Sequence, residues 1–585
     1  MENFTLLLKK YADFIVRVGV NPQPGQTLII NCCLEAAPLA RLCVRSAYEA
    51  GARDVQVNWS DDAVARARME LGSEEALTDH KGWQLRRYLD YAETEGGVCV
   101  LHLIADDPEV FAGLDGAKIS RVNSANRAFM QPWREYTMND RVQWSIAAIP
   151  SAPWAKKMFP ELDTDAAIEA LKAEVAEVKA KGLALDMARG KPSPSQVDIS
   201  RPMLDILNAD ADLHDGNVDC SNYGCFEGIP SARKLAGEFL GCPAEQTLVL
   251  GSSSLLIEHD IAGMFWRCGS CGSDPWEAYE AAHDGKKVKF LCPVPGYDRH
   301  FGITADLGIE NVPVAMTDNG PDMDEVERLV AADDSIKGIW CVPKYSNPTG
   351  ITFSEGTVRR LLEMPTAASD FRIFWDNAYC VHDLYDETDE LANIFDLARA
   401  AGTEDRVVAF ASTSKITFPG AGIGFIGASP AVIAEFSKRL KAGLISADKL
   451  NQLRHVRFLP TIEAVKEHMK KHAEFLRPRF EAVERKLTEG LGDTGCATWT
   501  HPRGGYFVSF DGPEGSAQKV AALCADLGVK LTPAGATWPY GKDPRDTNIR
   551  IAPSYPTVED LEAALDVLVL AVKLVAAELA RAERA

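Results

Sequence analysis

The stretch STSKITFPGAGIGF at residues 412–425 decides the fold of most of the chain. It follows the apolar, β-prone run RVVAFA at 406–411, so the pattern predicts a strand that delivers Lys415 into a turn rich in hydroxyls and glycine. Burying an ammonium without a partner is unfavourable, whereas an uncharged lysine amine attacks carbonyls and forms Schiff bases with aldehyde cofactors. A solvated lysine after a strand is the alternative, because most lysines are exposed, and Lys415 by itself does not exclude it.

Length and composition describe an ordinary soluble protein with more than one domain. The 585 residues exceed what a single core usually holds, and 46% hydrophobic and 25% charged residues are typical of globular chains. The net charge of -22 argues against nucleic acid or an anionic membrane as a partner. Residues 561–579 are apolar but are interrupted by Asp566 and Lys573, which indicates an amphipathic helix and not a membrane span.

Cysteine usage and the start of the chain suggest a cytoplasmic protein. Nothing at Met1 resembles a basic and apolar leader, and the 14 cysteines are scattered, so we expect reduced, mostly buried thiols. Cys268 and Cys271 have the spacing of a metal-binding pair, but a structural zinc site needs four ligands, and no second pair or histidine cluster follows. A loop explains this pair better, and we predict no metal site.

The first 150 residues alternate short apolar runs with helical periods. We predict strands at 27–31, 54–59, 97–104 and 143–149 and helices at 35–52 and 63–71. Such alternation is typical of a parallel α/β sheet. No glycine-rich phosphate loop follows these strands, so a nucleotide site is not indicated.

This segment resembles the amino-terminal half of the aminopeptidase T metallopeptidases. The resemblance covers about residues 1–168 and rests on four pieces, namely YADFIVRVGV at 11–20, PGQTL at 24–28, EAGA at 49–52 and IPSAPWAKKMFP at 149–160. In that family the other half of the protein holds the paired metal ions, and that half is absent here. His80 and His102 are the loose candidates for metal ligands, but neither belongs to a set of ligands. The resemblance therefore implies a scaffold without peptidase activity.

A helix predicted at 163–181 joins two parts of the chain, because this stretch is rich in Ala, Glu and Lys. We place the domain boundary within it. Residues 1–170 then form the amino-terminal α/β domain, and residues 171–585 form a large α/β domain with its own smaller part.

A serine turn follows the strand predicted at 248–250. Ser252, Ser253 and Ser254 lie between this strand and a helical apolar period. A helix N-terminus leaves backbone N–H groups free and the hydroxyls add further donors, so the turn predicts a cradle for phosphate or another anion. A simple serine cap on the helix is the alternative.

Three further strand ends carry an aromatic or polar side chain. Tyr297 lies in the rigid turn CPVPGYD, where its ring is placed to stack on a flat ligand. Asn347 lies in the turn PKYSNPTG, and Asp376 ends the apolar strand 371–375, where parallel sheets bind ligands. A loop tyrosine, ordinary turn chemistry and a helix N-cap are the respective alternatives.

Two strand-like pieces lie near the end of the sequence, PRGGYFV at 502–508 and NIRIAP at 548–553. Arg550 in the second piece is a candidate for a bidentate pair with a carboxylate. A structural salt bridge is the alternative.

The order of these parts is more informative than any one of them. A serine cradle, a stacking aromatic, NPTG, a strand-end Asp376 with Tyr379 three residues later, SxSK and a late Arg550 resemble the fold-type I pyridoxal-phosphate aminotransferases. The similarity covers about residues 172–585 and is greatest to the type Ic aspartate aminotransferases. It implies a large, mostly parallel seven-stranded α/β sheet domain plus a small α+β domain.

The resemblance implies a role for each candidate. Lys415 would carry pyridoxal phosphate as a Schiff base and shuttle the α-proton of the substrate, and Asp376 would keep the pyridine nitrogen protonated. Asn347 and Tyr379 would hydrogen-bond the phenolate oxygen, and Tyr297 would stack on the ring. The serines expected at the cofactor are Ser252, Ser253, Ser254, Ser412 and Ser414.

The resemblance also implies substrates and a partner. Arg550 would bind the α-carboxylate of an amino acid or 2-oxo acid, and Gly190 in ARGKP would lie over the substrate beside Asn347. Tyr223 resembles the tyrosine that reaches the phosphate of a neighbouring subunit, which implies a homodimer.

The sequence departs from the family pattern at Gly422. Many relatives carry a phosphate-binding arginine at this place, inside PGxRxG, so here the serine hydroxyls and the helix N-terminus must contribute more. No motif identifies a cation for the distal carboxylate of a dicarboxylic substrate, and Arg189 and Arg454 are only candidates. The choice of L-aspartate with 2-oxoglutarate therefore follows from the subgroup alone.

Three other functions stay open at this point. One is an aminotransferase that prefers alanine or aromatic amino acids. A metallo-aminopeptidase would lack its metal-binding half. A regulator built on an aminotransferase-like domain would lack a basic DNA-binding head, because the amino-terminal part is neither basic nor patterned as a helix-turn-helix.

Overall fold

The computed structural model describes residues 2–108, 110–139, 141–149 and 164–584. The chain divides into two compact units, residues 1–167 and 168–585. Most of the predicted family segment at 149–160 lies outside the described residues. None of the described helices is both long and apolar enough to cross a membrane.

A four-stranded sheet in the order β2-β1-β3-β4 forms the first unit. Its strands are β1 Thr27–Cys33, β2 Asp54–Ser60, β3 Val98–Ile104 and β4 Gln143–Ala148. All three strand pairs are parallel, as predicted, and the central strands β1 and β3 are mostly buried because both of their faces are covered.

Helices connect these strands. They are α1 Glu2–Phe14, α2 Ala37–Glu49, α3 Asp62–Leu71, α4 Glu74–Thr78, α5 Gly82–Ala92, α6 Gly116–Phe129 and α7 Gln131–Met138, with a π-helix at Ile15–Val20 and a 3-10 turn at Leu34–Ala36. Side chains of Asp61, Ser73 and Asp115 cap the starts of α3, α4 and α6 by accepting backbone N–H bonds.

An eight-stranded mixed sheet is the centre of the second unit, in the order β11-β10-β9-β12-β13-β14-β15-β8. Its strands are β8 Thr247–Leu250, β9 Lys289–Val294, β10 Glu310–Thr317, β11 Gly320–Pro321, β12 Ile336–Cys341, β13 Arg372–Asp376, β14 Val407–Ser412 and β15 Gly424–Ala428. The prediction of seven strands is wrong by one, because the chain turns back after β10 and adds the two-residue edge strand β11 in antiparallel register.

The helices of the second unit cover this sheet and build the smaller part. They are α8 Thr164–Ala180, α9 Pro194–Asp198, α10 Pro230–Leu240, α11 Ser254–Cys268, α12 Trp276–Ala282, α13 Asp298–Asp306, α14 Met323–Ala332, α15 Glu355–Glu363, α16 Ile394–Ala401, α17 Pro430–Leu440, α18 Lys449–Phe458, α19 Ile462–Leu491, α20 Ala517–Asp526 and α21 Val558–Arg584. Short 3-10 segments occur at Arg201–Asp205, Ala244–Gln246, Glu404–Arg406 and Pro539–Gly541.

The smaller part is α+β, as predicted. An antiparallel sheet in the order β16-β17-β19 packs with α19, α20 and α21, and its strands are β16 Thr498–Trp499, β17 Val508–Asp511 and β19 Asn548–Ile551. The remaining two-stranded pairs are β5 Leu185–Asp186 with β18 Val529–Lys530 and β6 His214–Asp215 with β7 Val218–Asp219. Leu561, Leu565 and Leu568 form the buried stripe of α21, which confirms an amphipathic helix.

The strand expected at 502–508 is wrong except at its end, because β17 begins only at Val508. A Cβ at Gly504 would lie 2.2 Å from Cε2 of Tyr345, and Gly505 has φ of +85°. The two glycines let the backbone turn against this buried ring instead of extending.

Candidate active site

The carboxyl ends of five strands meet at one edge of the large sheet. β9, β12, β13 and β14 are parallel neighbours, and Asp376 of β13 pairs with Phe410 of β14. β14 and β8 both run antiparallel to β15, which lies between them, so β8 ends at the same edge. The turns that follow these strands therefore lie side by side along this edge of the sheet.

Lys415 is the third residue after the end of β14 and is half-buried. Its Nζ lies over the ring of Tyr379, 4.7 Å from the centroid. The backbone next to it is fixed by buried donors, since Tyr506 Oη donates to the carbonyl of Lys415 at 3.4 Å and Ser200 Oγ donates to that of Ile416 at 3.2 Å. The amine of Lys415 therefore lies against the ring of a buried tyrosine, among the turns that follow the strands.

Asp376 is the last residue of β13 and is buried. Its Oδ2 lies 3.2 Å from Nε2 of His300, and its Oδ1 has no hydrogen-bond partner within the described ranges. The helix N-cap alternative is wrong, because turns follow Asp376 and the next helix begins only at Ile394. A buried carboxylate oxygen without a partner is a place for a donor from a ligand.

The serine turn after β8 leads into α11. Ser253 at the N-cap has an extended conformation with φ of −154°, and no side chain caps the helix, so the serine-cap alternative is wrong. The turn is closed by the loop of Lys415, because Ser414 Oγ donates to the carbonyl of Ser252 at 3.2 Å and Ser412 Oγ donates to Ser414 Oγ at 3.1 Å. Free N–H groups of α11 and these hydroxyls form a cradle suited to an anion.

Gly422 lies against this cradle. A Cβ there would lie 3.0 Å from the carbonyl oxygen of Ser252 and 3.1 Å from the backbone nitrogen of Ser414. Any side chain at this place would push the two serine loops apart. The glycine therefore lets the loops close on each other, and an arginine would not fit this arrangement without a shift of the backbone.

Arg550 and Asn347 lie together at the other end of the site. Both are buried, and Arg550 Nη1 donates to Asn347 Oδ1 and Asp298 Oδ1, each at 3.2 Å. The guanidinium lies 4.9 Å from the ring centroid of Phe507, and a Cβ at Gly190 would lie only 2.2 Å from Cζ of that ring. Gly190 thus packs on Phe507, which in turn packs on the arginine.

Two tyrosines lie between these groups. Tyr297 is half-buried, and its ring contacts His300 edge-on at 4.9 Å and 78°. Burial raises the pKa of Tyr297, and the charge of Lys415 opposes this effect. Burial and the negative charge of Asp376 raise the pKa of Tyr379, so both hydroxyls stay protonated.

Asp376 belongs to a buried trio of side chains that no sequence motif marks. Glu258, His300 and Asp376 place a ligand atom each within 4.8 Å of one another, and no other group of three possible metal ligands is found in the described parts of the chain. Burial alone would lower the pKa of His300, but the two carboxylates outweigh this and raise it to about 9. Helical spacing was the available signal, since His300 follows Tyr297 by three residues and Glu258 follows Ser254 by four.

A second buried polar cluster supports the backbone beside Lys415. His472 Nε2 lies 3.1 Å from His468 Nε2, which lies 3.0 Å from the carbonyl oxygen of Ile416. Gln196 Nε2 lies 3.0 Å from His472 Nδ1 and donates to Tyr506 Oη at 2.6 Å. Burial, and then the neighbouring His468, lower the pKa of His472 to about 3, so this cluster is uncharged at neutral pH.

The remaining candidates lie elsewhere. Tyr223 is 81% exposed, and its loop is held by the buried Lys449, whose Nζ donates to the carbonyls of Asp219 at 2.9 Å and Tyr223 at 3.3 Å. Arg189 is exposed, and Arg454 Nη2 donates to Asn451 at 2.6 Å.

Among the residues that the structure describes, neither the histidines of the first unit nor the cysteine pair belongs to a group of three possible metal ligands. The ring of His80 stacks on Phe129 at 4.7 Å, and burial lowers the pKa of His102. Cys268 and Cys271 are free, half-buried thiols.

Two family models match the sequence. The family described as aspartate amino-transferase matches residues 160–584, which include every residue of the site. The chain belongs to the aspartate aminotransferase family. The family described as thermophilic metalloprotease (M29) matches residues 4–181, in agreement with the predicted resemblance of the first unit.

Relatives of this aspartate aminotransferase family member cover the same part of the chain. A protein of Mycolicibacterium smegmatis called a putative aminotransferase is 48% identical over 406 residues, which are 69% of this chain and 94% of that one. An aspartate aminotransferase of Corynebacterium glutamicum is 44% identical over 412 residues, 70% of this chain and 94% of that one. The crystal structure of an aspartate transaminase from C. glutamicum superposes with a TM-score of 0.69 at 42% identity and covers 72% of this chain and 98% of that one.

The first unit is similar to one part of longer proteins. Aminopeptidase 2 of Geobacillus stearothermophilus is 37% identical over 171 residues, which are 29% of this chain but only 41% of that protein. The chain therefore spans less than half the length of the aminopeptidase that its first unit matches.

Proposed function

We propose that the protein is a pyridoxal-phosphate-dependent transaminase that converts L-aspartate and 2-oxoglutarate to oxaloacetate and L-glutamate. Membership of the aspartate aminotransferase family supports the reaction class, and the name of the C. glutamicum relative, an aspartate aminotransferase, supports L-aspartate as a substrate. The choice of 2-oxoglutarate follows from the resemblance to the type Ic subgroup. One observation carries the proposal. The amine of Lys415 over Tyr379 and the unpartnered, buried Oδ1 of Asp376 lie at the same edge of the sheet, next to the serine cradle.

The residues present fit the cofactor. Asp376 Oδ1 lacks a donor, and a protonated pyridine nitrogen would supply one. The cradle at the start of α11 offers free N–H groups and serine hydroxyls to a phosphate, closed by the tight approach at Gly422. Tyr297 would lie on the ring face, and Ser252, Ser253, Ser254, Ser412 and Ser414 would face the phosphate. When bound, pyridoxal phosphate supplies a carbonyl carbon that accepts the amino group and a ring that withdraws electrons from the α-carbon.

The protein supplies binding, orientation and proton transfer. Arg550 and Asn347 would hold the α-carboxylate of the substrate, while Gly190 and Phe507 would cover it and exclude water. Lys415 Nζ would move the proton between the α-carbon of the substrate and the C4′ carbon of the cofactor. Tyr379 Oη, kept protonated by burial, would donate to the oxygen of the cofactor ring.

A homodimer in the cytoplasm completes the proposal. Tyr223 is 81% exposed although it lies on a loop fixed by Lys449. A large aromatic ring held out into solvent would be buried against a second copy of the chain, where it would reach the phosphate of the partner site. The amino-terminal unit is proposed to be a scaffold without peptidase activity, and residues 1–170 and 171–585 are proposed as the two domains.

A grid of amino donors against 2-oxo acid acceptors tests the proposed substrates. We expect kcat/KM for L-aspartate with 2-oxoglutarate to exceed that for L-alanine or L-phenylalanine by at least about tenfold, the effect of one well-placed charged contact. The variant Lys415→Ala, purified in parallel, measures contaminating host transaminase. Faster turnover of alanine or aromatic amino acids would contradict the aspartate assignment but not the reaction class.

A further inference from the structure

The buried trio of Glu258, His300 and Asp376 places two carboxylates around one imidazole. His300 Nε2 lies 3.2 Å from Asp376 Oδ2 and 3.4 Å from Glu258 Oε2, so one ring nitrogen faces two carboxylates. The three side chains are 1%, 4% and 2% exposed for Glu258, Asp376 and His300, respectively. Buried carboxylates are costly unless a cation pairs with them, and the imidazolium of His300 is the cation at hand.

The position of His300 is fixed on several sides. Its ring stacks on Trp340 at 4.4 Å with an interplanar angle of 7°, and the edge of Tyr297 closes another side. Its backbone carbonyl accepts a hydrogen bond from Thr304 Oγ1 at 3.1 Å within α13. The imidazole therefore has little freedom to turn away from the two carboxylates.

Glu258 faces both other members of the trio. Burial and then the charge of Asp376 raise the pKa of the Glu258 carboxyl to about 7, and the neighbouring His300 opposes this effect. Neither of its carboxylate oxygens makes a well-formed hydrogen bond with any described residue, so its link to the imidazole is an ion pair. It lies one turn inside α11, four residues after Ser254. The helix whose start forms the anion cradle thus also carries the carboxylate that faces His300 and Asp376.

We propose that Glu258 is a positioning residue that offsets the positive charge of His300, so that the full charge of Asp376 remains available to a cationic ring nitrogen. The proposal rests on the proposed function, because that nitrogen belongs to the cofactor. Above the raised pKa of Glu258 of about 7, with both carboxylates ionised and His300 protonated, the trio carries one net negative charge. A protonated ring nitrogen at Asp376 Oδ1 then brings the total to zero. Without the charge of Glu258, the ionised Asp376, the protonated His300 and the protonated ring nitrogen would together carry one net positive charge. This charge would disfavour the proton on the ring nitrogen.

The test is the 15N chemical shift of the ring nitrogen in holoenzyme loaded with 15N-labelled pyridoxal phosphate, followed from pH 6 to 10. The other titratable groups facing the trio are Tyr297, Tyr379, Cys380 and Lys415, and they are unchanged between variants. We expect a protonated ring nitrogen in the wild type and a titration midpoint lower by about one pH unit or more in Glu258→Gln, a tenfold loss of proton affinity. Asp260→Asn, an exposed carboxylate on the same helix, is the matched control and should not change the midpoint.

The outcomes separate this inference from the proposed function. Equal midpoints in the wild type and Glu258→Gln would overturn the role of Glu258 while leaving the transaminase intact. If the wild type binds no labelled cofactor, the proposed function fails first. If Glu258→Gln does not fold, the imidazole 15N shifts of His300 in the wild-type holoenzyme decide, since the proposal requires both ring nitrogens to be protonated at pH 7.5 and a neutral imidazole overturns it.

Discussion

The ring of Tyr379 lies beneath the amine of Lys415, with 4.7 Å between Nζ and the ring centroid. Tyr379 is buried, and burial together with the charge of Asp376 raises the pKa of its hydroxyl. One side chain therefore supports the amine with its ring and keeps a protonated O–H donor beside it. Such an attractive contact between a cation and an aromatic face also limits the positions that the lysine can adopt.

Tyr379→Phe separates the two contributions of this residue. It keeps the ring beneath Lys415 but removes the donor, so we expect kcat to fall about tenfold to a hundredfold, the value of one hydrogen bond to a charged group. The pH titration of the visible absorbance of the bound cofactor should shift as well. Tyr385→Phe, a change at a partly exposed tyrosine outside the site, is the control. Unchanged kcat and an unchanged titration would show that the hydroxyl has no role.

Gly190→Ala tests the proposal that Gly190 lies over the substrate. The added Cβ would lie 2.2 Å from Cζ of Phe507, so this ring must move, and the guanidinium of Arg550 packed on it must move too. We expect KM for both the amino acid and the 2-oxo acid to rise by at least about tenfold, because a small displacement of a carboxylate-binding group weakens binding.

Gly263→Ala is the matched control for this change, since no heavy atom lies within 4 Å of a Cβ added at that helical position. Steady-state kinetics with each substrate varied in turn gives both KM values. If Gly190→Ala retains them, Gly190 does not lie over the substrate.

The buried histidines predict loss of stability in acid. Burial lowers the pKa of His472 to about 3 and that of His455 to about 4, both below the ordinary value of 6.5. A histidine with a lowered pKa binds its proton more tightly in the unfolded chain. Each therefore destabilises the fold as pH falls from 6.5 towards its folded pKa, by up to about 1.4 kcal/mol per pH unit.

His472→Gln isolates this effect, because glutamine retains a polar group beside Gln196 but does not titrate. Between pH 6.5 and 4 the melting temperature of the wild type should fall more steeply than that of the variant. The carboxylates contribute equally to both proteins and cancel in the comparison. Parallel curves would show that His472 is already protonated, or accessible to water, in the folded protein.

Local patterns predicted most of the fold because its strands are short apolar runs between turn residues. The strand before Lys415 and the strand that ends at Asp376 are both found, and the alternation of strands and helices led to the parallel order of the sheets. The sequence pattern predicts a strand at 502–508 where the structure has a turn, because the obstacle to extension is not local. The ring of Tyr345, about 160 residues earlier in the chain, lies where Gly504 must pass.

The same distinction applies to the site. Ser252, Asp376 and Lys415 belong to recognisable turns, and each turn follows its own strand, so parallel topology alone brings them together. Glu258 and His300 lie inside helices without any motif around them, and only the packing of α11 and α13 on β13 makes them partners. The contact between Arg550 and Asp298 is of the same kind, since it joins residues 252 positions apart in the sequence.

The central claim is that the amine of Lys415 carries the cofactor. Borohydride reduction of the holoenzyme, followed by proteolysis and mass spectrometry, locates the lysine to which pyridoxal phosphate becomes fixed. We expect the label on the peptide that contains Lys415, and we expect Lys415→Ala to show neither label nor transamination above background. A label on any other lysine, or transamination at the wild-type rate in Lys415→Ala, would contradict the account.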